Sequence, residues 1–382
     1  MAGDAHGRLA AAIRAMPLVD HHVHGLLADP TDAELVGALS QAAQPSPADA
    51  FDSQQGFALR RHCAPLLGLD PFAPADDYLA RRRELGADEV ARRLLGASGI
   101  AAYLVDDGFR PDRLMPDERM ARLAAAPTFR IARLERLAEG VMAESSSGAD
   151  FVARLTPALE RAAEAAVGFK TIAAHRCGLD LDPERPSAAD VLAAATAWHA
   201  RTRDDAPRLA EPTIIRHLIW WTLEHGRVLQ VHAGFGDADL VLEQANPARM
   251  QALVAATAGT GGRIAFLHCH PYVREASWMA HVFPHVVLDV GLAVGFLGAN
   301  ADTVVREAFD LAPFSRVLFS TDAWGVPERV LLGARLWRDA AARVLAGYVD
   351  EHGWPEAEAV RVAEGVAWRN AEALYGRTFV TG

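Results

Sequence analysis

Two histidines, His22 and His24, stand at i and i+2 where the short apolar run Ala15-Met16-Pro17-Leu18-Val19 gives way to Asp20-His21-His22-Val23-His24. Alternate residues of a β-strand share a face, so a strand here projects both imidazoles to one side and sends His21 and Val23 to the other. Two neutral imidazoles so placed can grip one divalent cation. The pair alone is a weak signal, because histidines at strand ends are often satisfied by backbone carbonyls or by water. Its weight comes from four later apolar runs, each of which carries another residue able to bind a metal or a proton.

The first of these is Gly168-Phe169-Lys170-Thr171-Ile172-Ala173-Ala174-His175-Arg176. Lys170 lies inside an apolar strand, where an ammonium must be neutralised, paired or chemically altered. The next, Leu229-Gln230-Val231-His232-Ala233-Gly234-Phe235-Gly236, ends in an imidazole followed by a glycine turn. The third and fourth are Phe266-Leu267-His268-Cys269-His270-Pro271-Tyr272 and Leu318-Phe319-Ser320-Thr321-Asp322-Ala323-Trp324-Gly325.

The elements needed to hold these residues form an alternating pattern. Short β-type runs are separated by Ala-, Leu-, Arg- and Glu-rich helical stretches, which argues for βα units and a parallel sheet. Eight strands are expected, at Pro17–Asp20, Ile100–Val105, Phe129–Leu134, Val167–Ala173, Val228–Val231, Ile264–Leu267, Val286–Val290 and Val317–Ser320. The expected fold is an α/β (β/α)8 TIM barrel in one domain spanning 1–382, and in barrels catalytic residues gather at the C-terminal ends of the strands. A plain barrel needs roughly 250 residues. The largest surplus is a helical insertion after the first strand, Leu26 to Gly96, with helices expected at Asp32–Ala43, Gly56–Leu67, Ala75–Leu85 and Ala87–Leu95 and a place to act as a lid. Trp220 and Trp221 are expected on the buried face of the helix before strand five.

Composition narrows the partners. With 51% hydrophobic residues the 382-residue chain can bury a large core, and its formal charge of −11 offers no general attraction to nucleic acid or to anionic membranes. No apolar run reaches the roughly 18–20 residues of a spanning helix. The expected setting is cytoplasmic, with a small-molecule substrate and a homo-oligomer left open. Three scattered cysteines form no Cys-x-x-Cys pair, so neither a disulfide framework nor a zinc knuckle is expected.

The order His-x-His, strand-four Lys, strand-five His, strand-six His and strand-eight Asp resembles the amidohydrolase superfamily of metal-dependent barrel enzymes, over about Val19 to Pro327. The wording Gly-Phe-Lys-Thr-Ile-Ala-Ala-His-Arg, Gln-Val-His-Ala-Gly-Phe-Gly, Leu-His-Cys-His-Pro-Tyr and Ser-Thr-Asp-Ala is similar to the branch fused, in some fungal and plant proteins, to a glutamine-synthetase-like domain. Nothing in these 382 residues reads as that second domain. The resemblance implies a divalent metal held by His22, His24 and Asp322, with His232 as a further ligand. Imidazoles with a carboxylate suit zinc, with manganese or iron as lesser options. Asp322 would take a proton from water activated at the metal and pass it to the leaving group. His268 would ligate a second ion or act on the substrate. Lys170 would stay an amine beside one ion, the reading preferred here, or bridge two ions as a carbamate.

Among substrate groups, Arg176 is the candidate to clamp a carboxylate, and His175 and Tyr272 are candidates to line the pocket. Arg60 and Arg61 read as surface ion pairs. Trp324 reads as packing or as a pocket wall. Asp289, at the end of strand seven, is a candidate to support a ligand or to pair with Lys170. The expected activity is metal-dependent hydrolysis of an amide, another C–N bond, or an ester or lactone. Non-oxidative decarboxylation, sugar-acid isomerisation and a non-catalytic metal-binding scaffold are the alternatives.

Overall fold

A computed structural model describes residues 3–106, 108–202 and 206–380. Seven strands form one parallel sheet in sequential order: β1 (Leu18–His24), β2 (Ile100–Asp106), β3 (Thr128–Arg133), β4 (Gly168–Thr171), β5 (Val228–Ala233), β6 (Arg263–His268) and β7 (Val286–Leu288). Six of them are almost continuously buried, as expected of parallel strands covered on both faces, while β3 is buried only over its last three residues. Helices follow the strands in the alternating pattern.

The sheet curls on itself. Val19 of β1 and Val287 of β7, at opposite ends of the strand order, belong to one apolar cluster with Ala102, Leu104, Ile131, Val228, Ala265 and Leu318. Leu374 and Phe379 from the C-terminal segment plug this cluster. The expected eighth strand, Val317–Ser320, is not a regular strand. Val317 makes an isolated parallel bridge to Leu288, and the Leu318 N–H donates to Leu288 O at 2.9 Å. The same stretch then turns to β1, where His21 N–H reaches Phe319 O at 3.3 Å and His24 N–H reaches Ala323 O at 2.8 Å. Two local events break its ladder: the Thr321 N–H is taken by the buried Asp20 carboxylate at 2.9 Å, and Asp322 sits at φ 48°.

The segment between β1 and β2 is helical, with α-helices at Asp32–Ala38, Pro47–Phe51, Gln54–His62, Ala75–Leu85 and Ala87–Ser98. The expected helix Asp32–Ala43 ends at Ala38, and Ser46 and Ser53 then each cap a new short helix with a side-chain oxygen. Gly56 permits the two short helices to meet, since a Cβ there would lie 2.3 Å from Ala50 O. The segment is tied to the long helix Pro327–His352 by a buried cluster in which Glu328 accepts from Arg82 Nε at 2.7 Å and from the Tyr78 hydroxyl at 3.1 Å. Trp221 is buried in the helix before β5, while Trp220 is only partly so. Among the described residues no helix is long and apolar enough to cross a membrane.

Candidate metal centre

The C-terminal end of the sheet brings the ligand-type residues together. Asp322 Oδ1 lies 3.0 Å from His22 Nε2, 3.4 Å from His24 Nε2 and 3.6 Å from His268 Nε2. Lys170 Nζ lies 2.9 Å from His22 Nε2 and 3.6 Å from Asp106 Oδ2. His232 stands beside His268, ring centroids 4.8 Å apart, and His175 stands beside His232 at 4.4 Å. All but His24 and His175 are buried.

A bulge in β1 shapes this arrangement. Asp20 pairs with Tyr103 and Val23 with Val105, so three steps of β1 oppose two of β2. Strict alternation is lost at that point, and His21, expected on the opposite face, joins His22 in one inward network. Gln230 on β5 binds both: it donates through Nε2 to His21 O at 2.7 Å and to the Tyr375 hydroxyl at 2.8 Å, which leaves Oε1 to accept from His22 Nδ1 at 2.8 Å. His21 itself meets Asp289 Oδ2 at 2.8 Å. The other oxygen of Asp289 accepts the His268 and Gly291 N–H groups, at 2.8 and 2.9 Å. Asp289 therefore holds the backbone of His268, which sits in the left-handed region at φ 67°, and makes no contact with Lys170.

The tautomers follow from these bonds. His22 Nδ1–H is committed to Gln230, and His24 Nδ1 donates to Asp106 O at 3.2 Å. Both Nε2 lone pairs then face Asp322 Oδ1, which has no hydrogen-bond donor although it is buried. His232 Nε2 is likewise buried and unpartnered. Lys170 Nζ serves the His22 lone pair, but Asp322 Oδ1 is left facing acceptors without a donor of its own, an arrangement that a cation would relieve. Among the described residues two sets of three ligand atoms meet closely enough for one ion, His22 with His268 and Asp322, and His22 with His24 and Asp106. His232 is in neither set.

Electrostatics favour neutral rings around an ionised acid. Burial, with Lys170 adding to it, pushes His22 down to about 3, and burial pushes His268 down to about 4 despite Asp322. His232 is held well below the usual histidine range by burial. Burial opposes ionisation of Asp322, and the surrounding imidazoles, His268 foremost, draw its carboxyl well below the ordinary value to the extent that they carry or donate a proton. Lys170 is lowered by burial, with Asp106 working against that shift.

Several members of this site were not among the sequence candidates. Asp106 ends β2 one residue beyond the expected strand, and Arg133 ends β3; their side chains pair at 2.5 Å in the interior. For Arg133 a charged residue inside an apolar run was the available signal, the same one that drew attention to Lys170. Arg176 does not face the cluster as a free cation, because its Nη2 lies 3.2 Å from Glu139 Oε1. His175 Nδ1 meets Asp239 Oδ1 at 2.9 Å at the rim. Tyr272 is half-buried and opens the helix Val273–Val282, and among the described residues its side chain makes no hydrogen bond to the cluster. Arg60 holds backbone carbonyls of Phe72 and Ala73 instead of an acid, and Trp324 packs edge-on against Phe109. Replacing Gln230 with Leu should weaken zinc binding by about 10–100-fold, the usual cost of losing a group that orients a ligand. Competition against a chromophoric chelator would measure it, and unchanged affinity would remove Gln230 from the site.

A curled parallel sheet with such side chains at the C-terminal strand ends places the chain among TIM-barrel-like α/β proteins. Residues 130–377 match the family model described as amidohydrolase, and the chain belongs to that family. It is 27% identical over 411 residues to protein fluG of Emericella nidulans, covering 95% of this chain but 46% of that protein, so the chain spans about half of the relative's length. Among solved structures it resembles a Lactobacillus casei protein assigned as a metal-dependent hydrolase, at 28% identity and TM-score 0.85, covering 96% of this chain and 97% of that one. A uronate isomerase of Bacillus halodurans shares the fold at 14% identity and TM-score 0.65, covering 99% of this chain and 98% of that one.

Proposed function

We propose that the chain is a metal-dependent hydrolase that cleaves an amide, another C–N bond, or an ester or lactone in a small polar substrate. The observation that carries this reading is the convergence of the His22 and His24 lone pairs on the unpartnered, buried Asp322 Oδ1. In this reading His22, His24 and Asp322 hold one divalent ion, zinc for preference, with His232 and His268 completing its surroundings. An ion held there would supply Lewis acidity for a substrate carbonyl and for water near neutral pH. Amidohydrolase membership and the Lactobacillus casei likeness support it.

The residues divide the remaining work. Asp322, ionised and lodged beside the reacting atoms, accepts the proton of the attacking water and delivers it to the leaving nitrogen or oxygen. His268, neutral, offers a lone pair or an N–H rather than acting as a strong acid. Lys170 donates to the His22 lone pair that the ion needs, so loading requires the amine to release His22, and Asp106 Oδ2 is the acid placed to receive it. The helical segment after β1 acts as a lid over this end of the sheet. His175 lines the rim.

Product analysis on a panel of amides, esters, lactones, aromatic acids and uronates tests the reading. Incorporation of one water per turnover is the expected result. Release of carbon dioxide without water addition, or interconversion of sugar acids, would replace hydrolysis with decarboxylation or isomerisation on the same scaffold. Metal binding without turnover on any of them would favour the scaffold alternative.

A further inference from the structure

Arg329 is a buried cation with no anion bound to it. Its residue is 7% exposed, and among the described residues its side chain makes no hydrogen bond or ion pair; the Phe296 ring lies 5.2 Å from the guanidinium carbon. It lies in the first turn of the helix Pro327–His352, the positive end of the helix dipole, where a cation is disfavoured. An arginine this little exposed is ordinarily paired with an acid. Nothing in packing alone calls for it there.

Its place explains it. The helix starts directly after the Asp322 segment, so Arg329 opens on the same end of the sheet as the metal centre. Asp322 and Asp237, the latter in the loop after β5, are the acids whose fields reach it. An ion held by Asp322 would absorb much of that carboxylate's charge and leave Arg329 still less compensated. Around it Phe296, from the helix after β7, meets Phe235 edge-on at 5.7 Å, and Phe235 meets His270 at 5.8 Å. The guanidinium thus lies beside an aromatic wall and within the field of Asp322. Arg176, the cation that the motif made the first candidate for a carboxylate, is already paired with Glu139.

We propose that Arg329 is the anion anchor of the active site, and that the substrate carries a carboxylate, which Arg329 binds in the fork geometry guanidinium favours, next to an apolar or planar body lying on Phe296 and Phe235. The inference rests on the hydrolase reading only for the word substrate; the anion site itself stands on the side chains.

The test titrates the protein as purified, its metal content measured in each sample, with benzoate and with its neutral counterpart benzamide by calorimetry. Wild-type protein should prefer benzoate. Arg329→Met should lose at least tenfold in benzoate affinity with metal content and benzamide binding unchanged, and Arg329→Lys should keep part of the preference. Absence of a benzoate preference in wild type, or equal benzoate affinity in wild type and Arg329→Met, would overturn the proposal. If Arg329→Met fails to fold, Arg329→Lys decides, since a preference for benzoate that is unchanged by the loss of the fork would also overturn it. A protein that shows the Arg329-dependent preference yet hydrolyses nothing would refute the hydrolase reading and leave the anchor in place.

Discussion

Asp322→Asn is expected to fold as the parent does and to lose hydrolytic turnover by about 10²–10⁴-fold, the range that a positioned general base contributes. Zinc affinity should fall as well, by more than the roughly 10–100-fold that follows removal of a group that merely supports a ligand. Asparagine is the substitution of choice because residue 322 lies at φ 48°, a conformation that Asn adopts more readily than most side chains. The variant keeps the N–H bond to His22 O at 3.1 Å, a backbone contact that no side-chain change removes. Thermal unfolding without metal should therefore differ little between parent and variant. A variant that retained parental turnover and zinc affinity would show that the convergence of acceptors on Oδ1 has no chemical role.

The second large effect belongs to the pair that the motifs did not announce. Arg133→Met should destabilise the fold by about 3–5 kcal/mol, because it leaves the Asp106 carboxylate buried beside only the more distant Lys170 amine. Burial alone would raise the Asp106 carboxyl, yet Arg133 and then Lys170 hold it far below the carboxylate range. Adding Asp106→Asn to Arg133→Met removes the stranded charge while retaining a side-chain acceptor for the Gly108 N–H, now bound at 2.9 Å. The double variant should be less destabilised than the sum of the two single changes, with a coupling of about 1–3 kcal/mol. Urea denaturation of all four proteins reads it. Simple additivity would mean that the two charges do not depend on each other.

What could be read from the residues follows from how parallel sheets are built. Strands buried on both faces appear as apolar runs, so all seven were found with ends off by a few residues, and ligand-type residues at those ends stood out against their surroundings. The eighth segment failed as a strand for a local reason: Asp20 captures the Thr321 N–H, and Asp322 leaves the extended region. The face assigned to His21 failed because a bulge has no signature in His-His-Val-His. Asp106 lay one position past the strand as drawn. Arg133 and Arg329 were hidden by the abundance of arginine in this chain, where the ordinary expectation for any one of them is a surface ion pair. Gln230 and Tyr375 are far apart in sequence and acquire their roles only when the C-terminal helix plugs the sheet. Arg176 shows the converse, a residue marked by its neighbours in sequence but claimed in space by Glu139.

The central claim is that His22, His24 and Asp322 hold a catalytic metal, and the most direct test is elemental analysis of the chain expressed with supplemental zinc, combined with anomalous diffraction at the zinc edge. One divalent ion per chain is expected, in contact with His22, His24 and Asp322, together with an uncarbamylated Lys170. Two ions bridged by a carbamate on Lys170 would contradict the single-ion reading, and a chain that retains no ion, or holds one on other residues, would contradict the claim itself.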